Sequence, residues 1–130
     1  MTRVNPANVP ALQSVFSRVV RHLLEQGEQS MFPQYQTCAY RGAHGLRCAV
    51  GVLINDAHYS HGLEGIGAAE PSVRDALVAS GVPWSDDMAD LLERVQGIHD
   101  DEDPDQWADR LERVAADFGL DYPDQTSDDL

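Results

Sequence analysis

Cys48 to Ile54 reads CAVGVLI, and the reading of this run decides the fold. A compact apolar run of this length fits a buried strand and a short buried helix equally well. Ala49, Gly51 and Leu53 do not favour a strand, and no other segment offers a clear partner strand. The run is therefore expected to form a short helix beginning near Leu46, in a mainly α domain.

Upstream, Leu12, Val15, Phe16, Val19, Val20, Leu23 and Leu24 recur at helical spacing. Gly27 is suited to the left-handed residue that ends many helices, which predicts a helix over about 9–26. Downstream, Pro71 and Gly81 bracket a helix over about 71–80. Ser85 is a natural N-cap, and Asp86 and Asp87 suit the positive end of a helix dipole, for a helix over about 86–99. Met88, Leu91, Leu92, Val95 and Ile98 form its apolar stripe. Asp103, Pro104 and Gln106 resemble a capping box for a last helix over about 104–118, with Trp107, Leu111, Val114, Ala115 and Phe118 inward. The expected architecture is a small bundle of four or five helices with a loop-rich segment at about 28–70 packed on one side.

A chain of 130 residues fits one domain, with a core over about 9–120 and flexible tails at 1–8 and 121–130. No stretch approaches the roughly 20 apolar residues of a membrane span. The opening MTRVNPANVP lacks a signal-peptide core, so a cytoplasmic protein is expected. In that compartment Cys38 and Cys48 are thiols, ligands or core residues rather than a bridge.

The charge is uneven. Residues 1–84 carry six acidic residues and six arginines, whereas residues 85–130 carry the other 16 acidic residues against three arginines. The net charge of −13 therefore lies wholly in the last third, which argues against nucleic-acid and anionic-membrane partners. The plain reading is a solvated acidic face. The sharper one is a surface, centred on Asp100, Asp101, Glu102, Asp103 and Asp105, that docks on a basic protein.

Segment 38–48 gathers the residues that could carry chemistry. Cys38, His44 and Cys48 give C-x5-H-x3-C, with His58, His61 or His99 as a fourth zinc ligand. Against zinc, there is no C-x2-C knuckle, and cysteine is a common buried small hydrophobe. Cys48 at a helix start would be a nucleophile, with His99 and Asp100 as base and orienter of a hydrolase. The plainer reading makes Cys48 core and His99 a helix end. The pair His99-Asp100 also resembles metal-dependent phosphohydrolases of the HD type, for which His58 or His61 and Asp117 or Asp121 would complete the set. Tyr40, Arg41 and Arg47, set among glycines, are the candidate site for a small anion. Their plainer role is to pair with the acidic helices of the same chain.

These residues also carry a resemblance. Cys38-x-Tyr40-Arg41-Gly42, Gly45-Leu46-x-Cys48-Ala49-Val50-Gly51-x-Leu53-Ile54, then Asp56, Tyr59, Glu64 and Gly65, resemble a family of small uncharacterised bacterial, prophage and phage proteins. Gln96-x-x-His99-Asp100, Trp107 and Phe16-x-x-Val19-x-x-His22-Leu23-Leu24 are similar to it too, over most of 12–120. The resemblance implies a shared structural or binding role for Cys38, Tyr40, Arg41, Cys48, His99 and Asp100. It also implies a polar residue other than histidine at the place of His44 in many relatives, which weakens the zinc set. A phage or prophage setting implies a binding protein that occupies a host protein or sequesters a small anionic ligand. Apart from the zinc alternative, no cofactor is expected. The expectation is that 38–54 is the architectural centre, with Cys38 and Cys48 packed near His99.

Overall fold

The computed structural model describes residues 3–32 and 37–123. Four α-helices dominate: α1 (Val9–Gln26), α2 (Pro71–Ala79), α3 (Asp86–Asp101) and α4 (Trp107–Phe118). A minimal antiparallel pair, β1 (Met31–Phe32) and β2 (Thr37–Cys38), sets Met31 opposite Cys38. The domain is small and mainly α. Among the described residues no helix is long and apolar enough to cross a membrane.

The helices form where the apolar spacing places them. In α1 the stripe Leu12, Val15, Phe16, Val19, Val20 and Leu23 is buried, each large side chain contributing about 1.5–3 kcal/mol by leaving water. Gly27 closes α1 with φ +67° and donates its N–H to the Leu23 carbonyl, a conformation that costs any other L-residue about 1 kcal/mol or more. Helices α1, α3 and α4 pack pairwise around Leu12, Phe16, Leu91, Leu92, Trp107 and Leu111, all at most 1 % exposed. Ser85 caps α3 by accepting from the Met88 N–H at 3.0 Å.

Four boundaries differ from the sequence reading. α3 runs two residues further, to Asp101, because the buried His99 side chain holds its last turn in the core. The last helix opens with a 3-10 turn, Pro104–Gln106, before α4 begins at Trp107. Asp103 precedes that turn without a side-chain cap bond, so the capping box does not form. Residues 5–8, expected in a flexible tail, are tied down: the Asn5 N–H and the Asn8 amide both donate to Asp87 Oδ2, at 3.0 and 2.8 Å. At the other end the Asp121 N–H donates to Gln13 Oε1 at 2.7 Å and Pro123 is buried. The rest of the tail expected over 121–130, residues 124–130, lies outside the described residues.

The opening run is neither a strand nor an α-helix. Arg41 and Arg47 form an isolated antiparallel bridge, and the Cys48 N–H donates to the Tyr40 carbonyl at 3.4 Å. The chain thus arrives at Cys48 extended. It then makes one 3-10 turn, Gly51–Leu53, rather than a helix from Leu46. The bonds at its start go to Tyr40 and to α3, so its conformation is set from outside the run. Cys48, Ala49, Val50, Gly51, Leu53 and Ile54 are buried.

Candidate functional site

The 38–54 segment is fastened to α3 by a chain of hydrogen bonds. The Ser30 N–H donates to His99 Nε2 at 2.9 Å. Because Nε2 accepts, the ring proton of neutral imidazole sits on Nδ1, and Nδ1–H donates to Asp100 Oδ1 at 2.7 Å. Gln96, one helical turn earlier on the same face, donates its amide to the same oxygen at 2.9 Å. The Gln96 carbonyl oxygen in turn accepts the Val50 N–H at 3.0 Å. His99 is fully buried and stacks on Trp107, with ring centroids 5.4 Å apart. The Gln29 amide adds bonds to the carbonyls of His99 and Asp100.

Both thiols lie beside this chain, and both are poor nucleophiles. Cys48 is 0 % exposed and accepts the Gly51 N–H. Burial pushes its thiol up to about 12. Cys38 is half-buried, and burial together with the adjoining Asp100 carboxylate pushes its thiol up to about 12 as well. A reactive cysteine needs an electropositive, accessible setting, which neither has. The catalytic trio considered from sequence, Cys48, His99 and Asp100, therefore sits in one region with its histidine already engaged at both ring nitrogens.

Of the metal ligands considered from sequence, Cys38 and His99 come together, but the full C-x5-H-x3-C set does not. His44 is exposed on a turn with φ 60°. Among the described residues, the ligating atoms within 4.8 Å of one another are those of Cys38, His99 and Asp100. Nδ1 of His99 carries the proton that goes to Asp100. A metal there would have to displace that proton to Nε2, setting two N–H groups head to head at Ser30. The donor set does not fit zinc in this arrangement. The HD-type set is not assembled either: His58 and His61 lie in exposed turns, and Asp117 pairs with Arg94 at 3.0 Å.

The arginines face their own loop. Arg41 pairs with Asp56 at 2.8 Å, donates to the Ile54 carbonyl at 2.8 Å, and stacks its guanidinium 4.4 Å from the Tyr59 ring centre. Arg47 reaches the same Asp56 oxygen at 3.5 Å. The sequence left them either pairing with the acidic helices or facing a ligand; their carboxylate partner is an aspartate of the loop. The backbone of Arg47 is gripped by α1, with the Gln26 oxygen accepting its N–H and His22 and Gln26 donating to its carbonyl.

Two residues missed as site candidates, Glu64 and Gln96, line a pocket beside these groups. Glu64 accepts the N–H groups of Tyr40 and Arg41 and the Tyr59 hydroxyl, at 2.9, 3.1 and 2.6 Å. Tyr59 is pushed up to about 12 by burial and this carboxylate. Gln96 shares one face of α3 with Asp100 at i, i+4 spacing, the signal that could have found it. Between Glu64 on one side and Gln96 and Asp100 on the other lies a pocket of about 270 Å³, which Cys38 and Tyr40 also line.

The acidic corner follows directly. Asp101, Asp103 and Asp105 are exposed and have no ion pair among the described residues, while Glu102 reaches Arg110 at 3.5 Å. Comparison with known protein families, curated proteins and solved structures finds no match.

Proposed function

We propose that this is a small acidic binding protein of the cytoplasm, of phage or prophage type, that docks on a basic host protein through the α3–α4 corner. What carries the reading is the contrast in how charges are used. The two clustered arginines are spent on Asp56, whereas Asp101, Asp103 and Asp105 stand exposed and unpaired among the described residues. Asp101 also sits at the C-terminal end of α3, where a negative charge opposes the helix dipole. Its placement does not help the helix, so a use outside the fold is the better account. The small-anion alternative at Tyr40, Arg41 and Arg47 draws less support, since a ligand there would compete with Asp56. A hydrolase is disfavoured by the two raised thiols and the doubly bonded His99. An acidic surface also argues against direct nucleic-acid contact.

The test replaces Asp101, Asp103 and Asp105 together by asparagine. Captured host proteins are compared between wild type and variant across a salt series. Three exposed interactions of about 0.5 kcal/mol each predict a roughly tenfold loss of affinity, and binding that weakens with salt. A partner held equally by both proteins at all salt concentrations would overturn the reading.

A further inference from the structure

We propose that the pocket of about 270 Å³ beside the acidic corner receives the guanidinium group of an arginine side chain from the partner protein. This deepens the docking reading and rests on it for the identity of the ligand's source.

The pocket wall has particular groups left to offer a ligand. The side-chain donors in its lining are already used, the Cys38 thiol on Asp100 among them. The Tyr40 hydroxyl donates to the Ile66 carbonyl, and the Gln96 amide donates to Asp100. Its strongest remaining groups are acceptors, the carboxylates of Glu64 and Asp100, which come from two separate parts of the chain. Each carboxylate is positioned from within the protein. Glu64 is held by Tyr40, Arg41 and Tyr59, and Asp100 by Gln96 and His99. Such groups lose little freedom when a ligand arrives.

A ligand matched to these two carboxylates would donate hydrogen bonds and carry positive charge. Among the described residues no side-chain cation lines the pocket, since the nearby Arg41 guanidinium is turned to Asp56. The volume lies just under the roughly 300–1,000 Å³ of pockets for whole small molecules, so it suits one side chain better than a complete metabolite. Ile66 and Ala68 in the lining provide apolar contact for a methylene stem. A planar fork of N–H donors matches carboxylates better than an ammonium does, which selects arginine over lysine. Asp100 belongs to the pocket and immediately precedes the exposed Asp101, so an inserted arginine would anchor a basic surface lying across the corner.

The experiment titrates the labelled protein with N-acetyl-arginine methylamide and follows the amides of Gly65 and Gly67 and the Gln96 side chain by NMR. The uncharged isostere N-acetyl-citrulline methylamide is the control. Saturable shifts are expected with arginine and none with citrulline. Asp100→Asn should weaken the arginine titration at least tenfold, and Ala68→Leu, which fills the pocket, should abolish it. Circular dichroism confirms that each variant is folded, and either folded variant suffices. No shifts at the pocket, equal shifts with citrulline, or arginine binding undiminished in a folded variant would overturn the assignment. The triple asparagine variant at the corner keeps Glu64 and Asp100, so it reads the docking surface separately. Loss of partner binding there with no arginine titration in wild type sinks the pocket alone. Arginine titration with partner binding untouched sinks the docking surface and leaves the pocket standing.

Discussion

His99→Ala is expected to destabilise the domain by about 4 kcal/mol, most of the stability of a typical small domain. The ring is fully buried and stacked on Trp107, so its removal opens a cavity against the largest side chain of the core. Truncation of a buried aromatic costs about 3–5 kcal/mol by itself. It also strands the Ser30 N–H, whose hydrogen-bond partner is Nε2, at about 1–3 kcal/mol when the group stays dry. Partial collapse of the site offsets some of that sum. His99→Phe separates the two causes. It keeps the stack on Trp107 and deletes both ring hydrogen bonds, so about 2 kcal/mol of loss is expected. Urea unfolding of the three proteins measures both. A folded His99→Ala protein with wild-type stability would show that the histidine is there for chemistry rather than for the fold.

The second large effect belongs to Gly51→Ala. A Cβ built on Gly51 would lie 1.9 Å from the Tyr40 carbonyl oxygen and 2.7 Å from its carbon. The obstruction is backbone, and it is a working piece of backbone. The same oxygen accepts the Cys48 N–H that turns the chain into the core. Relief must push the Tyr40 strand away from the 3-10 turn, at a cost of about 3 kcal/mol. Gly27→Ala is the control, because nothing lies within 4 Å of its added Cβ and only the left-handed φ of +67° resists it. That change should cost about 1 kcal/mol. In thermal unfolding the two predictions correspond to melting points lower by roughly 10 °C and roughly 4 °C. Equal, small shifts would mean that the turn at Gly51 does not press on the Tyr40 backbone as described.

The parts of this fold that the sequence makes legible are those governed by local rules. The stripe from Leu12 to Leu23 needs only helical periodicity to be read, and Gly27 and Ser85 need only the chemistry of helix ends. The run from Cys48 to Ile54 is legible as buried but not as a shape. Its conformation depends on Tyr40 and on Gln96, which lies 46 positions away from Val50. His99 is the clearest case of a residue whose role comes from its surroundings. On the page it ends an amphipathic stripe beside an aspartate, and helix end, catalytic base and metal ligand are all open. Ser30 closes the choice by occupying Nε2, and nothing in the sequence near Ser30 signals it.

The candidate site follows the same division. The acidic corner is visible in the charge pattern, and Cys38, Tyr40, Arg41 and Asp100 are visible as unusual residues in unusual places. Their partners are less so. Arg41 and Arg47 share Asp56, a neighbour on their own loop, because the bridge between them brings both side chains to one side. Glu64 becomes a wall of the pocket only because the loop that carries it folds back over the N–H groups of Tyr40 and Arg41.

The central claim is that His99 acts as a buried fastener between Ser30 and Asp100, with its proton on Nδ1. A long-range proton–nitrogen correlation spectrum of the labelled protein at neutral pH reads this directly. The account predicts a single locked tautomer for His99, with Nδ1 protonated and Nε2 bare, lost on unfolding. A proton on Nε2, or a ring exchanging like free imidazole, would contradict it.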